Sequence, residues 1–372
     1  MAGVAAEPIA EVPKAELHVH LPGCVRAVTL SELATKHDVA LPLPARELYK
    51  RINSAPTPEE AAHGPWFPLL RVYELICRCL QDRADFARVV YEAMHDANRS
   101  SNVVHQELAW SPSVHLALGV NYPEMVAGMA EGLRAAQSDL AMTGGFIAAV
   151  NREDSPAVAL EMAETLRAHP TEEVIAIGLD FDERKGPPEA FAEAFGTARE
   201  AGLHRTAHAG EHVPGPAGAG NILTCLGALG CERIDHGYYV LEDPAVVARC
   251  RDEGVAFNVA FTTSRRALRP WREASVLEML NSGLRVNISS DDPQLFPTTV
   301  ADEFAIAQER LGLSTEAALQ LVRNGVTASF MEQGARRRLE QRLDAHENAL
   351  SAPAVDTHGG ASFKGPFRAT PR

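Results

Sequence analysis

The chain has 372 residues, of which 46% are hydrophobic and 23% are charged. This composition supplies a large apolar core and excludes collagen, coiled-coil and wholly disordered chains. Lys and Arg number 35 against 49 Asp and Glu, a formal charge of −14, so we expect neither a nucleic acid nor an anionic membrane as partner. Because no apolar run reaches the roughly 20 residues of a membrane span and the acidic start is unlike a signal peptide, we expect a cytoplasmic protein.

Eight short runs rich in Val, Ile, Ala and Phe recur along the chain, separated by longer segments of helical periodicity. The runs lie at 15–20, 102–111, 144–151, 174–181, 203–211, 233–238, 255–264 and 284–292. Gly202, Gly254 and Gly283 each stand just before a run, as expected of helix C-caps that are followed by short loops. This alternation predicts an α/β fold with eight parallel strands, the (β/α)8 or TIM barrel.

The interval between the first two runs is too long for a single crossover and contains a further helical stretch at 66–80. We therefore predict an insertion of extra helices at about 40–83, a kind of segment that often forms a lid. The segment 346–372 is rich in Pro, Gly, Ser and Thr, which predicts a disordered tail. The remainder, 1–345, is expected to be one catalytic barrel domain that carries the insertion.

Polar side chains cluster at the C-terminal ends of the runs, which in an eight-stranded α/β barrel form the mouth of the active site. The cluster consists of His18, His20, Glu107, Arg152, Asp180, His208, Glu211, His236, Ser264, Asp291 and Asp292. Alternate residues of a strand point to the same side, so His18 and His20 can bind one ion. Taken singly, each residue has an ordinary alternative. The histidines fit a polar core position or a surface loop, and the adjacent Asp291 and Asp292 fit a solvated helix cap.

Taken together, three histidines and a carboxylate at separate strand ends form a donor set suited to a divalent metal with a water position left open. A set of His and Asp without thiolates favours zinc, which lowers the pKa of bound water to about 7. The other zinc-deaminase signature, H-x-E followed by P-C-x-x-C, is only half present, at 105–107. We therefore expect one Zn²⁺ per chain and a hydrolytic reaction.

Seven motifs resemble, in the same order, those of the adenosine deaminase family of metal-dependent amidohydrolases. They are PKAELHVHLPG, ELAWSP, GLDF, TAHAGE, RIDHGY, TTS and SSDDPQLF, and the resemblance runs from about Pro13 to about Glu332. Carried over by position, the resemblance implies that zinc is bound by His18, His20, His208 and Asp291.

The resemblance also implies the roles of the residues around the metal. Glu211 would donate a proton to the purine ring nitrogen beside the attacked carbon, and His236 would orient and deprotonate the attacking water. Asp291 would contact that water, Asp292 would hydrogen-bond the imidazole-ring nitrogen of the purine, and we assign further substrate contacts to His20 and Asp180. Donation requires a raised Glu211 pKa, which burial favours and a nearby cation opposes.

Two departures from the family concern substrate recognition. The acidic residue that holds the sugar 5′-hydroxyl in the family's nucleoside deaminases is replaced by Pro22, which has no acceptor side chain, and the segment after Phe181 is shorter. We predict zinc-dependent deamination of an aminopurine nucleoside, adenosine or a 5′-modified analogue, to the inosine-type product and ammonia. The alternatives are deamination of free adenine, another amidohydrolase reaction on a non-purine amine, and a non-catalytic ligand-binding relative. The expected partner is the small-molecule substrate, and a homo-oligomer stays open.

Overall fold

The computed structural model describes residues 9–54, 67–266 and 271–351. Eight strands form one sheet in which neighbours follow the sequence order and each consecutive pair is parallel. The strands are β1 (Lys14–His20), β2 (Val103–Trp110), β3 (Thr143–Asn151), β4 (Val174–Asp180), β5 (His204–Ala209), β6 (Arg233–His236), β7 (Ala256–Val259) and β8 (Arg285–Ile288). Most of their residues are buried on both faces of the sheet, as expected for parallel strands that helices cover. The predicted eight-stranded α/β barrel is confirmed.

The barrel closes where β1 meets the segment that follows β8. The amide of His20 donates to the carbonyl of Asp291 at 2.9 Å, and the amide of Asp291 donates to the carbonyl of His18 at 3.2 Å. Val19 and Asp291 form a parallel bridge at the same place. The closure therefore holds the ends of the first and last strands side by side, and both ends carry predicted metal ligands.

Helices occupy the spaces between the strands. They are α1 (Ala27–Lys36), α2 (Ala45–Ile52), α3 (Phe67–Cys79), α4 (Arg83–Ser101), α5 (Pro112–Ala117), α6 (Tyr122–Leu140), α7 (Pro156–Ala168), α8 (Ala192–Glu200), α9 (Pro216–Gly227), α10 (Pro244–Asp252), α11 (Phe261–Arg266), α12 (Trp271–Asn281), α13 (Val300–Leu311), α14 (Thr315–Ala328) and α15 (Gln333–Ser351). Gly202, Gly254 and Gly283 have left-handed φ angles of 82°, 65° and 76° just before a strand, which confirms their predicted role as helix ends.

The predicted insertion at 40–83 contributes α2 and α3. Leu69, Leu70 and Tyr73 of α3 line the cavity at the mouth of the barrel, so the insertion supplies one wall of that cavity. Its part at 55–66 lies outside the described residues, and its role as a lid stays a prediction.

The run at 255–264 forms a shorter strand than predicted. β7 ends at Val259 because the amides of Phe261 and Thr262 donate to the buried carboxylate of Glu303. This contact turns the chain directly into α11. Alternating apolar residues alone do not reveal the turn, because its acceptor lies on α13.

Left-handed backbone lies at or just beyond the ends of three strands. Phe181, His236 and Asp291 have φ angles of 69°, 68° and 67°, a region that residues other than glycine rarely occupy. The run at 233–238 stops being a strand at His236, whereas the run at 284–292 already stops at Ile288, three residues before Asp291. Backbone of this kind clusters at functional sites, where the surrounding structure must stabilise it.

The tail predicted from residue 346 begins inside a helix, because α15 continues to Ser351. Its last turns are held against α14, since Arg323 donates from Nε to Glu347 Oε1 at 2.9 Å. The remaining tail residues, 352–372, lie outside the described part. Among the helices of the described ranges, none has the length and the apolar character that are needed to cross a membrane.

Candidate active site

Buried imidazoles and carboxylates meet at the C-terminal ends of the strands. His18 and His20 belong to β1, His208 to β5, and Asp291 follows β8. The Nε2 atoms of His18 and His20 each lie 3.3 Å from Asp291 Oδ1, and the ring centres of His18 and His208 are 4.7 Å apart. Potential ligand atoms of His18, His20 and His208 lie within 4.8 Å of one another, as do those of His18, His236 and Asp291. The structure thus brings the four predicted metal ligands together.

The chemistry of this cluster fits a divalent cation. His18 is 3% exposed, yet neither of its ring nitrogens has a hydrogen bond of good geometry within the described residues. A buried polar atom without a hydrogen bond destabilises the folded protein by about 1–3 kcal/mol. Metal ligation would remove this penalty. Burial lowers the pKa of His18, but the carboxylates of Asp235 and Asp291 outweigh burial and raise it to about 9. The cluster therefore attracts positive charge, and its His and Asp donors suit zinc.

Asp180 supports two of these histidines. Its Oδ2 lies 3.3 Å from His20 Nδ1, and its Oδ1 lies 3.2 Å from His208 Nδ1. Burial raises the pKa of Asp180, but His208 and His20 lower it well below its usual range. A carboxylate at Nδ1 fixes the orientation of a ring and leaves Nε2 for a metal. Asp180 also lines the cavity described below, and its predicted contact with substrate stays a prediction.

Asp235 lies behind the cluster, at distances longer than a hydrogen bond, and was missed in the sequence. Its carboxylate oxygens lie 3.8 Å from His18 Nδ1 and 3.9 Å from His208 Nδ1. Thr206 Oγ1 donates to Asp235 at 2.9 Å, and Asn258 Nδ2 donates at 2.5 Å. The available signal was its place beside a strand-end histidine in the motif RIDHG.

Glu211 and His236 face each other beside the cluster, with Glu211 Oε2 3.6 Å from His236 Nε2. Burial lowers the pKa of His236 well below its usual value, so its imidazole is neutral and can accept a proton. Burial raises the pKa of Glu211, but its interactions with the neighbouring His212 and Arg272 outweigh burial and lower the pKa below its usual range. The Glu211 carboxylate is therefore ionised in the free site, and it must gain a proton before it can donate one.

A second buried carboxylate, Glu183, anchors the loop that carries Glu211. Its Oε1 accepts hydrogen bonds from Gly210 N (2.8 Å) and Asn221 Nδ2 (2.9 Å), and its Oε2 accepts from the amides of Glu211 (2.9 Å), His212 (2.9 Å) and Val213 (3.3 Å). Glu183 is 2% exposed. The sequence gives no sign of this role, because Glu183 stands in a run of charged residues with the exposed Arg184 and Lys185.

A cavity of about 350 Å³ opens above the cluster. The residues of its inner end include His20, Asp180, His208, Glu211, His236, Asp291 and Asp292. The outer part is bounded by Leu69, Leu70, Tyr73 and Phe181, together with charged side chains at the rim. Its polar inner end thus carries the candidate ligands and proton-transfer groups, while its outer part presents apolar surface.

Asp292 is a buried acid at the inner end of this cavity. Burial and repulsion from Asp291 raise its pKa to about 7, and its Oδ1 has no hydrogen-bond partner among the described residues. It packs against Gly23 so closely that a Cβ atom there would lie 2.2 Å from Asp292 Oδ1. Asp292 thus presents a carboxylate oxygen to the cavity, its predicted contact with the purine stays a prediction, and only glycine fits at position 23.

Glu107 and Arg152, two strand-end residues singled out in the sequence, are not among the described residues that line this cavity. Glu107 lies inside the barrel, where its Oε2 is 2.6 Å from Arg233 Nη1, because β2 continues beyond it. Arg152 supports the site indirectly by donating to the carbonyl of His208 at 2.7 Å. The side chain of Ser264 lies outside the described part of the structure.

The chain is similar to known deaminases along most of its length. The sequence model of the adenosine deaminase family matches residues 13–346. The chain is 32% identical over 322 residues to the adenine deaminase of Bordetella parapertussis, which covers 85% of this chain and 96% of that protein.

Two solved structures share the fold over most of this chain. The adenine deaminase of Arthrobacter aurescens has a TM-score of 0.82 and 30% identity, covering 91% of this chain and 99% of that chain. A zinc-bound amidohydrolase of Burkholderia ambifaria has a TM-score of 0.83 and 27% identity, covering 95% of this chain and 97% of that chain. The family match and that bound zinc confirm the predicted cofactor. The chain therefore belongs to the adenosine deaminase family of metal-dependent hydrolytic deaminases.

Proposed function

We propose that this protein is a zinc-dependent adenine deaminase, which hydrolyses the exocyclic C–NH2 bond of the base to give hypoxanthine and ammonia. The observation that carries the proposal is the convergence of a metal-binding donor set and two proton-transfer groups on one cavity. These residues are His18, His20, His208, Asp291, Glu211 and His236.

Zinc would be held by the three histidines and Asp291. When bound, it supplies a Lewis acid that makes hydroxide available near neutral pH. His236 has a neutral imidazole beside the cluster, so it is placed to orient the attacking water and to take its proton. Asp180 and Asp235 keep the histidine rings in position throughout the reaction.

Glu211 completes the proton transfer. Attack on the amine-bearing carbon breaks the aromaticity of the ring, so the adjacent ring nitrogen must gain a proton. The ionised Glu211 can accept the proton held by His236 across the 3.6 Å separation and pass it to that nitrogen. Catalytic hydrogen bonds are often this long before substrate binds and shorten in the complex.

Two observations favour adenine over the nucleoside that the sequence alone favoured. The Bordetella relative and the Arthrobacter structure are both named adenine deaminase. Pro22 offers no acceptor for a sugar 5′-hydroxyl, so the contact that the family resemblance assigns to the sugar is missing. A nucleoside is the second candidate, because the outer part of the cavity, with Leu69, Tyr73 and Phe181, leaves apolar space for a substituent on the base.

The test combines metal analysis with ammonia release from adenine, adenosine and a 5′-substituted adenosine. We expect one zinc per chain and turnover of adenine alone, and we expect His208→Ala to lose both zinc and activity. Turnover of a nucleoside without turnover of adenine would refute the proposed substrate. A zinc-loaded protein that releases ammonia from none of the three would refute deamination of aminopurines of this kind.

A further inference from the structure

A buried arginine contacts the proposed proton donor at two points. Arg272, at the start of α12, is 0% exposed. Its Nη1 lies 3.2 Å from Glu211 Oε1, and its Nη2 donates to the backbone carbonyl of Glu211 at 2.9 Å. The guanidinium therefore holds both the side chain and the main chain of the same residue.

The position of Arg272 is itself fixed by packing. Its guanidinium lies over the ring of Tyr238, 4.5 Å from the ring centre. Ser275, one turn further along α12, donates from Oγ to the carbonyl of Tyr238 at 2.6 Å, which holds the helix against this ring. A buried cation is costly without a partner, and the carboxylate that pairs with Arg272 within the described residues is Glu211. Glu211 therefore supplies the negative charge that the buried guanidinium requires.

The two oxygens of the Glu211 carboxylate face different partners. Oε1 faces Arg272, whereas Oε2 lies 3.6 Å from His236 Nε2 and 3.1 Å from His212 Nδ1. A guanidinium has a rigid, planar set of donors and fixes a partner's direction better than a lysine ammonium does. With Oε1 directed to Arg272, Oε2 is the oxygen that faces His236.

We infer that Arg272 is a positioning residue for the deamination: it orients the Glu211 carboxylate so that Oε2 transfers the proton. The inference rests on the proposed function, which assigns that transfer to Glu211. A catalytic group misplaced by about 1 Å loses roughly 10²-fold in rate. Loss of the contact should therefore lower kcat far more than it changes KM.

The test compares Arg272→Gln and Arg272→Lys with Arg310→Gln as the matched control. Arg310 forms a 2.9 Å ion pair with Glu273, the residue next to Arg272, so its replacement removes an ion pair from the same helix without touching Glu211. We expect Arg272→Gln to keep its zinc and to lose about 10²-fold in kcat with KM nearly unchanged. Arg272→Lys should recover part of the rate, since an ammonium restores the charge but not both contacts.

Chemical rescue gives a sharper readout. Guanidinium ions at millimolar concentration should restore part of the kcat of Arg272→Ala, whereas the same concentration of sodium chloride should not. A wild-type kcat in Arg272→Gln, or an equal loss of kcat in Arg310→Gln, would overturn the inference.

A crystal structure of zinc-loaded Arg272→Gln separates this inference from the proposed function. We expect the Glu211 carboxylate to leave its position in that variant, whatever substrate the enzyme uses. If the wild-type protein deaminates no aminopurine, the proposed function fails, and the crystal structure still decides about Arg272. A Glu211 carboxylate that stays in place in the variant would overturn the positioning role.

Discussion

Replacing Glu183 by glutamine tests how the catalytic loop is held. The carboxylate accepts two hydrogen bonds at Oε1 and three at Oε2, four of the five from backbone amides at 210–213. Glutamine keeps one acceptor oxygen and turns an NH2 group toward the remaining donors. In either orientation at least two buried donors lose their acceptor, at about 1–3 kcal/mol each. We therefore expect Glu183→Gln to lower the free energy of unfolding by about 2–6 kcal/mol.

The same change should reduce catalysis, because the loop that shifts carries Glu211. A displacement of about 1 Å corresponds to roughly 10²-fold in kcat. Urea unfolding of the zinc-loaded proteins measures the stability, and ammonia release measures kcat and KM. Metal analysis of each preparation ensures that equal zinc contents are compared.

Glu303→Gln is the control, because Glu303 is also a buried carboxylate that accepts backbone amides, those of Phe261 and Thr262. Its loop carries no proposed proton donor, so this variant should lose stability and keep kcat within a few-fold of wild type. A Glu183→Gln protein with wild-type kcat, or with a free energy of unfolding within about 1 kcal/mol of wild type, would refute this account of the loop.

Three further predictions concern other parts of the molecule. Glu211→Gln should keep its zinc and lose about 10²-fold or more in kcat; equal turnover of the variant and the wild type would remove Glu211 from the mechanism. Gly23→Ala would place a Cβ atom 2.2 Å from Asp292 Oδ1, so we expect a raised KM for the base at normal zinc content, and an unchanged KM would contradict that contact. Burial lowers the pKa of His115 from 6.5 to about 4, so between these pH values the unfolded chain binds a proton that the folded protein does not. Stability is therefore lost as the pH falls, by about 2 kcal/mol between about pH 7.5 and about pH 5. His115→Gln should lose about 2 kcal/mol less over that range in urea unfolding, and equal losses in both proteins would show that His115 does not set the slope.

The barrel and the metal-binding donors could be predicted because both follow local rules. Apolar runs, glycine helix ends and polar strand ends repeat with the period of the fold, and His18 and His20 share one strand at a spacing of two. Asp291 and His208 follow from the same rule, since the ends of parallel strands meet at one side of a barrel.

Other features depend on contacts between distant segments, which no local pattern reveals. Arg272 reaches Glu211 across 61 positions of sequence, and it contributes to the lowered pKa of that carboxylate where burial alone favoured a raised one. Glu107 was expected at the mouth of the barrel, but the length of β2 places it inside, against Arg233. The run of charges around Glu183 resembles an exposed loop until its acceptor role is seen in three dimensions.

The unusual φ angles of Phe181, His236 and Asp291 limit how this chemistry can be transferred to another scaffold. Grafting the same side chains onto an idealised eight-stranded barrel would keep the directions of His18, His20 and His208, which lie on extended strands, but would change those of His236 and Asp291. A designer would have to copy the left-handed backbone at these three positions first and choose the side chains afterwards.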